Sequence, residues 1–423
     1  MKKIIIVLIL ILITIIYIIL MSKKSISGTI ISNDNTYITI ITKNDSIYKF
    51  KYSTNKYNIG DDIKITYKGK LSDLNEVQDI DIKSIKKEII ELNYSTRSIE
   101  ILNSMSLSEK IGQLLLTELP SENQLEVINQ YNVGGLLLFT KDVNNMSKDE
   151  LINKINTFKS ASKIPLYIAI DEEGGTVSRL SWNEKVVDTP FLSPQELYRI
   201  GGYEEIKKDC INKNNLLREL GINMNLAPVA DITTDKNAFM YERSFGKSKS
   251  ETAKYIETVL STQNNDVTYV LKHFPGYGNN VDTHVGIAVD NRSYESFVEN
   301  DFIPFEAGIK KGARGVLVSH NIVTNIENKP ASLSPNIHNI LRNKLNFDGL
   351  IITDNLSMKA ITNYDINKPY IEGILAGNNI LIVSDYKTAY NEIYNAVLNK
   401  EISEVLIDRL VLKIIDFKLK TLY

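Results

Sequence analysis

Eight short apolar runs, each followed by a longer stretch of helical periodicity, recur along most of the chain. They are Gln113–Thr117, Gly134–Phe139, Leu166–Ile170, Asn223–Ala227, Thr268–Leu271, Gly315–Val318, Leu350–Ile352 and Ile380–Val383. Strand-sized runs that alternate with helices call for a parallel sheet, because a helical crossover returns the chain to the same sheet end. Eight of them over about 330 residues fit an α/β fold of the (β/α)8 TIM-type barrel kind. An open doubly wound sheet is the competing fold. Against it, no Gly-x-Gly-x-x-Gly follows an early run, and there is no P-loop.

What precedes the barrel has a different period. Two-residue alternation in Gly28–Ser32, Tyr37–Thr42, Ile47–Tyr52 and Asp62–Tyr67, with Asn/Asp-rich turns between, predicts a small all-β domain over residues 25–88. A small barrel of the OB or SH3 kind is expected, serving as a spacer or wall-contact module. The charged stretch Asp79–Glu91 reads as a linker or connecting helix, and residues 95–423 as the barrel. At the start, Lys2 and Lys3 precede an apolar run from Ile4 to Met21, closed by Lys23 and Lys24. At about 1.5 Å per residue this nearly crosses a hydrocarbon core. No small-residue cleavage site follows it, and no cysteine that could be lipidated. Residues 1–24 are therefore expected to be a transmembrane signal-anchor, with a cleaved signal peptide as the alternative. Either way the rest of the chain is expected outside the cytoplasm, anchored to the membrane or secreted.

Charge excludes one class of partner. The chain carries 49 Lys and Arg against 51 Asp and Glu, with no basic patch interleaved with aromatics, so no nucleic acid is expected. The single cysteine, Cys210, permits no intrachain disulfide and is expected to be a buried small side chain. A monomer is expected.

The polar residues fall at the ends of the runs. Asp171 and Glu172 follow the third, Asp231 closes the fourth, and Lys272 and His273 the fifth. Ser319 and His320 close the sixth, and Thr353 and Asp354 the seventh. In a (β/α)8 barrel these ends all point at one mouth, where active sites lie. One such residue is as well read as a helix cap; five together predict a site. The chain has 4 histidines, with no His-x-His or His-x-x-x-His spacing, so no metal and no other cofactor is expected.

Carboxylates and cationic groups converging on one cleft suit sugar hydroxyls and a glycosidic bond flanked by nucleophile and acid. The loop His273-Phe-Pro-Gly-Tyr-Gly278 runs on to Asp282-Thr-His284, with Gly276, Gly278 and Gly286 lending it conformational freedom. An aspartate two residues from a histidine can polarise the imidazole, which titrates near neutral pH and suits general acid/base work.

At these residues the chain resembles glycoside hydrolase family 3, in its bacterial β-N-acetylglucosaminidase (β-N-acetylhexosaminidase) branch. The likeness covers about residues 98–423. It opens at Ile101-Leu-Asn-Ser-Met-Ser-Leu-Ser-Glu-Lys-Ile-Gly-Gln113. It continues through Ile170-Asp-Glu-Glu-Gly-Gly175 with Val177 and Arg179, Leu226-Ala-Pro-Val-Ala-Asp231 and Glu242-Arg-Ser-Phe-Gly246. Lys272-His-Phe-Pro-Gly276, Asp282-Thr-His284 and Pro330-Ala-Ser-Leu-Ser334 follow. Phe347-Asp-Gly-Leu-Ile-Ile-Thr-Asp354 with Leu356, Ser357 and Met358 completes it.

The resemblance implies roles. Asp354 matches the nucleophile, His284 the general acid/base and Asp282 its partner. Asp171, Arg179, Arg243, Lys272 and His273 match residues that grip the terminal sugar. Asp231 lies in a motif shaping the same pocket, where a structural role is equally open, and His320 stays outside the catalytic set. About 70 residues follow Asp354, too few for a further full domain, so the acid is expected from the barrel. The implied activity is retaining exo-hydrolysis of terminal β-linked N-acetylglucosamine from peptidoglycan fragments or related glycans. A β-glucosidase or β-xylosidase specificity and a non-catalytic wall-binding protein are the alternatives. Three positions depart from the family pattern: Thr176 where Arg is common, Tyr277 where the loop has His, and Asn355 after the nucleophile.

Overall fold

The computed structural model describes the whole chain except residues 1–22, 34–35, 43–45, 53, 55, 60, 72–76, 79, 88–93, 279, 281, 284, 365 and 423. The chain divides into two compact units. The first takes Met1–Met105 with Ser403–Asp416; the second takes Ser106–Ile402 with Phe417–Tyr423. Residues 95–105 and 403–416, read from sequence as part of the barrel segment, thus belong to the first unit. The expected signal-anchor falls almost entirely on residues outside the described set. Among the described residues no helix is long and apolar enough to cross a membrane.

The first unit is a six-stranded sheet of β1 (Lys24–Asn33), β2 (Tyr37–Ile41), β3 (Ile47–Lys51), β4 (Asp62–Lys68), β5 (Val77–Gln78) and β6 (Asp81–Lys87), in the order β5-β3-β2-β1-β4-β6. Alternation puts Ile30, Ile38, Ile40, Phe50, Ile63 and Ile65 into one buried cluster. Each such burial stabilises by roughly 1.5–3 kcal/mol. β6 corrects the expected linker or helix of residues 79–91 over 81–87, while 79 and 88–91 lie outside the described residues. It was hidden because a bulge breaks its period. Ile65 faces Ile85 and Tyr67 faces Ile82, which leaves Lys83 as the extra residue. The inserted residue shifts the phase, so Ile82 and Ile85, three apart, both pack on the core.

The second unit holds the eight expected strands. They are β7 (Leu115–Glu118), β8 (Gly135–Leu138), β9 (Tyr167–Ile170), β10 (Met224–Asn225), β11 (Thr268–Phe274), β13 (Gly315–Val318), β15 (Leu350–Thr353) and β16 (Leu381–Val383). A small pair, β12 (Val289–Asp290) and β14 (Ile322–Val323), lies among them in sequence. The order β15-β13-β11-β10-β9-β8-β7-β16 is parallel throughout. Its two ends meet where Ile352 bridges Ile380 and the Thr353 N–H donates to the Ile380 carbonyl at 3.0 Å. This makes a nearly closed barrel and rules out the open doubly wound sheet. The strands read as unbroken apolar runs because both faces are covered.

Helices start on a recurring signal. Ser106/Glu109, Ser147/Glu150, Ser193/Glu196 and Ser248/Glu251 each form a reciprocal capping box. Cys210, on the helix Pro194–Leu220, is buried, and burial pushes its thiol up to about 12, away from nucleophilic use. The box at Ser193 is the stop that ends the site loop following β9. Replacing Ser193 by Ala should lower stability by about 1 kcal/mol, whereas Ser193→Asp should keep it. Urea denaturation of the two variants beside the parent measures this, and an unchanged Ser193→Ala would refute the assignment.

Candidate active site

The strand ends meet in a cavity of about 600 Å³. It is lined by Asp171, Arg179, Arg243, Lys272, His273, Asp282 and Asp354 among others. Every sequence-expected site residue except one is therefore brought together. The exception, His284, lies outside the described residues.

β11 sets the floor. Lys272 and His273 lie inside this strand, one residue earlier than its end at Phe274. Opposite β13 the register runs from Leu271–Val316 to Phe274–Val318, so Lys272 and His273 together face the single residue Leu317. Alternation would send one side chain in and one out. The bulge lets both line the cavity.

Lys272 is 2% exposed, and its Nζ lies 2.8 Å from Asp171 Oδ1 and 2.6 Å from Glu173 Oε1. Arg243 grips Glu173 through two bonds, Nε to Oε2 at 3.1 Å and Nη2 to Oε1 at 2.8 Å. Arg179 donates to Asp171 Oδ2 at 3.2 Å, with its guanidinium 5.2 Å from the Phe139 ring. Burial by itself would raise both carboxyls, but the cations reverse it. Lys272, Arg179 and Arg243 hold Asp171 well below the usual carboxylate range, and Arg243 and Lys272 hold Glu173 at about 2.

Asp231 is 1% exposed and acts behind this floor. Its carboxylate accepts from the Tyr277 N–H at 2.7 Å, the His273 N–H at 3.0 Å and His273 Nδ1 at 2.7 Å. The ring tautomer follows: Arg243 Nη2 can only donate, so His273 Nε2 accepts at 3.4 Å and Nδ1 carries the proton. Asp231 is thus a positioning residue for His273 and the loop after it.

Asp354 is held by its successor. The Asn355 N–H donates to Asp354 Oδ1 at 2.8 Å. The Asn355 amide donates to Glu118 Oε1 at 2.7 Å and to Ser384 Oγ at 2.9 Å. Its carbonyl accepts from His320 Nε2 at 2.9 Å, which leaves His320 Nδ1 to accept from Ser332 Oγ at 2.7 Å. His320 is fully buried. It fixes the backbone beside Asp354 without reaching the cavity.

Sequence reasoning missed Glu173, Glu118 and the part played by Asn355. For Glu173 a signal existed: Lys272, Arg179 and Arg243, all expected at the site, leave charge beside Asp171 to balance, and Asp171-Glu-Glu173 offers more carboxylates. Glu172, the middle one, turns away. Its carboxylate accepts the Arg179 and Leu180 N–H groups at 3.0 Å and the Ser178 hydroxyl, shaping the loop that carries Arg179. Of the departures, Thr176 and Asn355 line the cavity, and Tyr277 is buried beneath it.

Comparison with known proteins shows the family of the chain. Residues 106–417 match the family model described as "Glycosyl hydrolase family 3 N terminal domain". The Beta-hexosaminidase A of Pseudoalteromonas piscicida is 31% identical over 273 residues, 59% of this chain and 45% of that protein. The Beta-hexosaminidase of Nitrosomonas eutropha is 30% identical over 281 residues, 63% of this chain and 77% of that protein. A solved family 3 β-N-acetylglucosaminidase from a Paenibacillus species superposes with a TM-score of 0.71 at 28% identity. The match covers 75% of this chain and 63% of that one. The chain thus spans less than half of the first relative and under two thirds of that structure.

The cluster has a pH signature. A carboxyl held below its ordinary value contributes stability that is full above the unfolded pKa and is lost as pH falls through the folded one. For Glu173 that window runs from 4.5 down to about 2. Glu173→Gln leaves buried cations uncompensated, so at neutral pH it should cost about 3–5 kcal/mol. The gap between parent and variant should shrink as pH falls from 4.5 toward 2. A gap independent of pH in urea titrations would contradict the assignment.

Proposed function

The chain belongs to glycosyl hydrolase family 3, and from that premise we propose that it is a retaining exo-β-N-acetylhexosaminidase. Its substrate is terminal β-linked N-acetylglucosamine on peptidoglycan fragments or related glycans. The observation that carries this reading is the single cavity that collects Asp354, Asp282 and the Lys272-centred charge cluster. The names of the relatives, β-hexosaminidase and β-N-acetylglucosaminidase, support the sugar.

In this reading Asp171, Arg179, Arg243, Lys272 and His273 hold the hydroxyls of the terminal sugar. Buried donors and acceptors already ordered by one another need no reorganisation when the sugar arrives. Asp354 attacks the anomeric carbon as His284, polarised by Asp282, protonates the departing glycosidic oxygen. The C–O bond to the aglycone breaks and a covalent glycosyl-enzyme on Asp354 forms. His284, now neutral, takes a proton from water, which attacks the same carbon. The second inversion restores the β-configuration and frees Asp354. Asn355 and His320 fix the backbone from which Asp354 attacks.

An aryl N-acetyl-β-glucosaminide should be cleaved, and the matching glucoside without the 2-acetamido group should be cleaved far more slowly. Proton NMR should find the β-anomer released first. Asp354→Ala and His284→Ala should each lower kcat by about 10³-fold or more. An active enzyme indifferent to both changes would sink the mechanism, and equal rates on both glycosides would sink the specificity.

Residues 1–24 hold the enzyme at the outer face of the membrane. Deleting them should move the activity from the membrane fraction to the soluble one, and activity that stays with the membrane would refute the anchor.

A further inference from the structure

Thr283 lies between Asp282 and His284, the two residues assigned above to proton transfer, and it is fully buried. Three hydrogen bonds hold it. Its N–H donates to the Tyr277 phenol oxygen at 2.8 Å, and its Oγ1 shares a 2.6 Å bond with the same phenol. Its carbonyl accepts from the Ala360 N–H at 3.1 Å. A neutral phenol has one proton to give and lone pairs to receive, which matches the two bonds. Burial, with the nearby charges of Asp354 and Asp282, keeps this phenol protonated well above the usual tyrosine range.

Tyr277 is itself immobilised. It is 2% exposed, its N–H is taken by Asp231, and its ring packs edge-on to His273 at 5.5 Å and against Phe239 at 5.8 Å. On the far side, Ala360 sits in the short helix Lys359–Thr362 that follows the Asp354 turn. One hydroxyl therefore ties Thr283 to the chain leaving β11, and one carbonyl ties it to the segment that carries Asp354.

We infer that the Tyr277 hydroxyl is a positioning residue for the proton-transfer step, clamping Thr283 and with it the adjacent Asp282, which lines the same cavity as Asp354. The inference rests on the reading of Asp282 and His284 given above. General acid catalysis contributes about 10²–10⁴-fold, and a misplacement of about 1 Å can cost 10²-fold. Losing the clamp therefore weakens protonation while the charged floor that grips the sugar stays intact. The loss scales with how much proton the departing oxygen needs. A dinitrophenolate leaves with almost none, and a simple phenolate or a sugar needs nearly a full one.

The test uses the full chain in detergent with a series of aryl N-acetyl-β-glucosaminides of decreasing leaving-group acidity. Tyr277→Phe keeps the ring and removes both bonds to Thr283. Its kcat/KM should fall about 10–100-fold on the poorest leaving groups and only a few-fold on the dinitrophenyl glycoside. Thr283→Val, which loses one bond, should fall between, and Thr283→Ser should stay close to the parent. The alkaline limb of the Tyr277→Phe pH profile, where a general acid loses its proton, should move with the change in leaving-group dependence. A loss of equal size across the series, or no loss, overturns the clamp. His284→Ala belongs in the same series: if it shows the parent's leaving-group dependence, the assignment of His284 has failed rather than the clamp. Should Tyr277→Phe not fold by thermal melting, Thr283→Val decides the question on the same readouts.

Discussion

The Lys272 ammonium, buried between Asp171 and Glu173 at 2.8 and 2.6 Å, is the contact on which the rest of the site depends. Removing an ion from water costs several kcal/mol even after the protein relaxes, and one partner seldom offsets it. Two carboxylates do, but they bring charges of their own. Arg179 balances Asp171 and Arg243 balances Glu173. The network thus draws on the end of β9, the loop before Arg243 and the bulge of β11. Each of those segments is placed by the charge it must satisfy. Removing Glu173 takes one of the two carboxylates from Lys272 and the bidentate partner from Arg243.

Asp354 is held by different physics. Its neighbours donate neutral hydrogen bonds: the Asn355 N–H to Oδ1, and His320 through the Asn355 carbonyl. Glu118 from β7 and Ser384 after β16 close around the Asn355 side chain. β16 meets β15 at the seam where the barrel closes, and β7 is the other neighbour of β16. Closing the barrel and orienting the Asp354 carboxylate are therefore one event. An open sheet of the same strands would leave Asn355 without Glu118.

Much of this could be read in the sequence wherever the chain keeps a simple period. The eight strands were legible as apolar runs because a parallel barrel buries both faces, and their polar ends named the mouth. Legibility failed where the period breaks or where a residue acts through another. Lys83 shifts the phase of β6, so that strand looked like a charged linker. The bulge at Lys272 and His273 was invisible, since no local pattern announces that two successive residues will face the same way. Glu173 passed unnoticed because its purpose is a cation 99 positions away in the chain. Asp231 left two readings open from sequence. Its three N–H partners, two of them on His273, are tertiary facts.

β11 then links floor and loop in a way that neither shows alone. Beyond Phe274 the chain turns at Gly276, with φ +125°, where a Cβ would stand 2.3 Å from Asp301 Oδ1. Only glycine passes there. Arg292 bridges Asp301 at 2.7 Å and Asp290 at 2.8 Å beneath this turn. Burial, opposed by Arg292, pushes the Asp301 carboxyl up to about 6. A second ion network therefore supports the loop root as the first supports the floor. Asp231 joins the two levels, receiving His273 from the floor and Tyr277 from the loop on one carboxylate. The distance between the Lys272-centred charge cluster and the segment proposed for proton transfer is thereby set by one strand, one turn and one buried aspartate. Substitutions at Gly276 or Asp231 should disturb that distance even though neither residue lines the cavity.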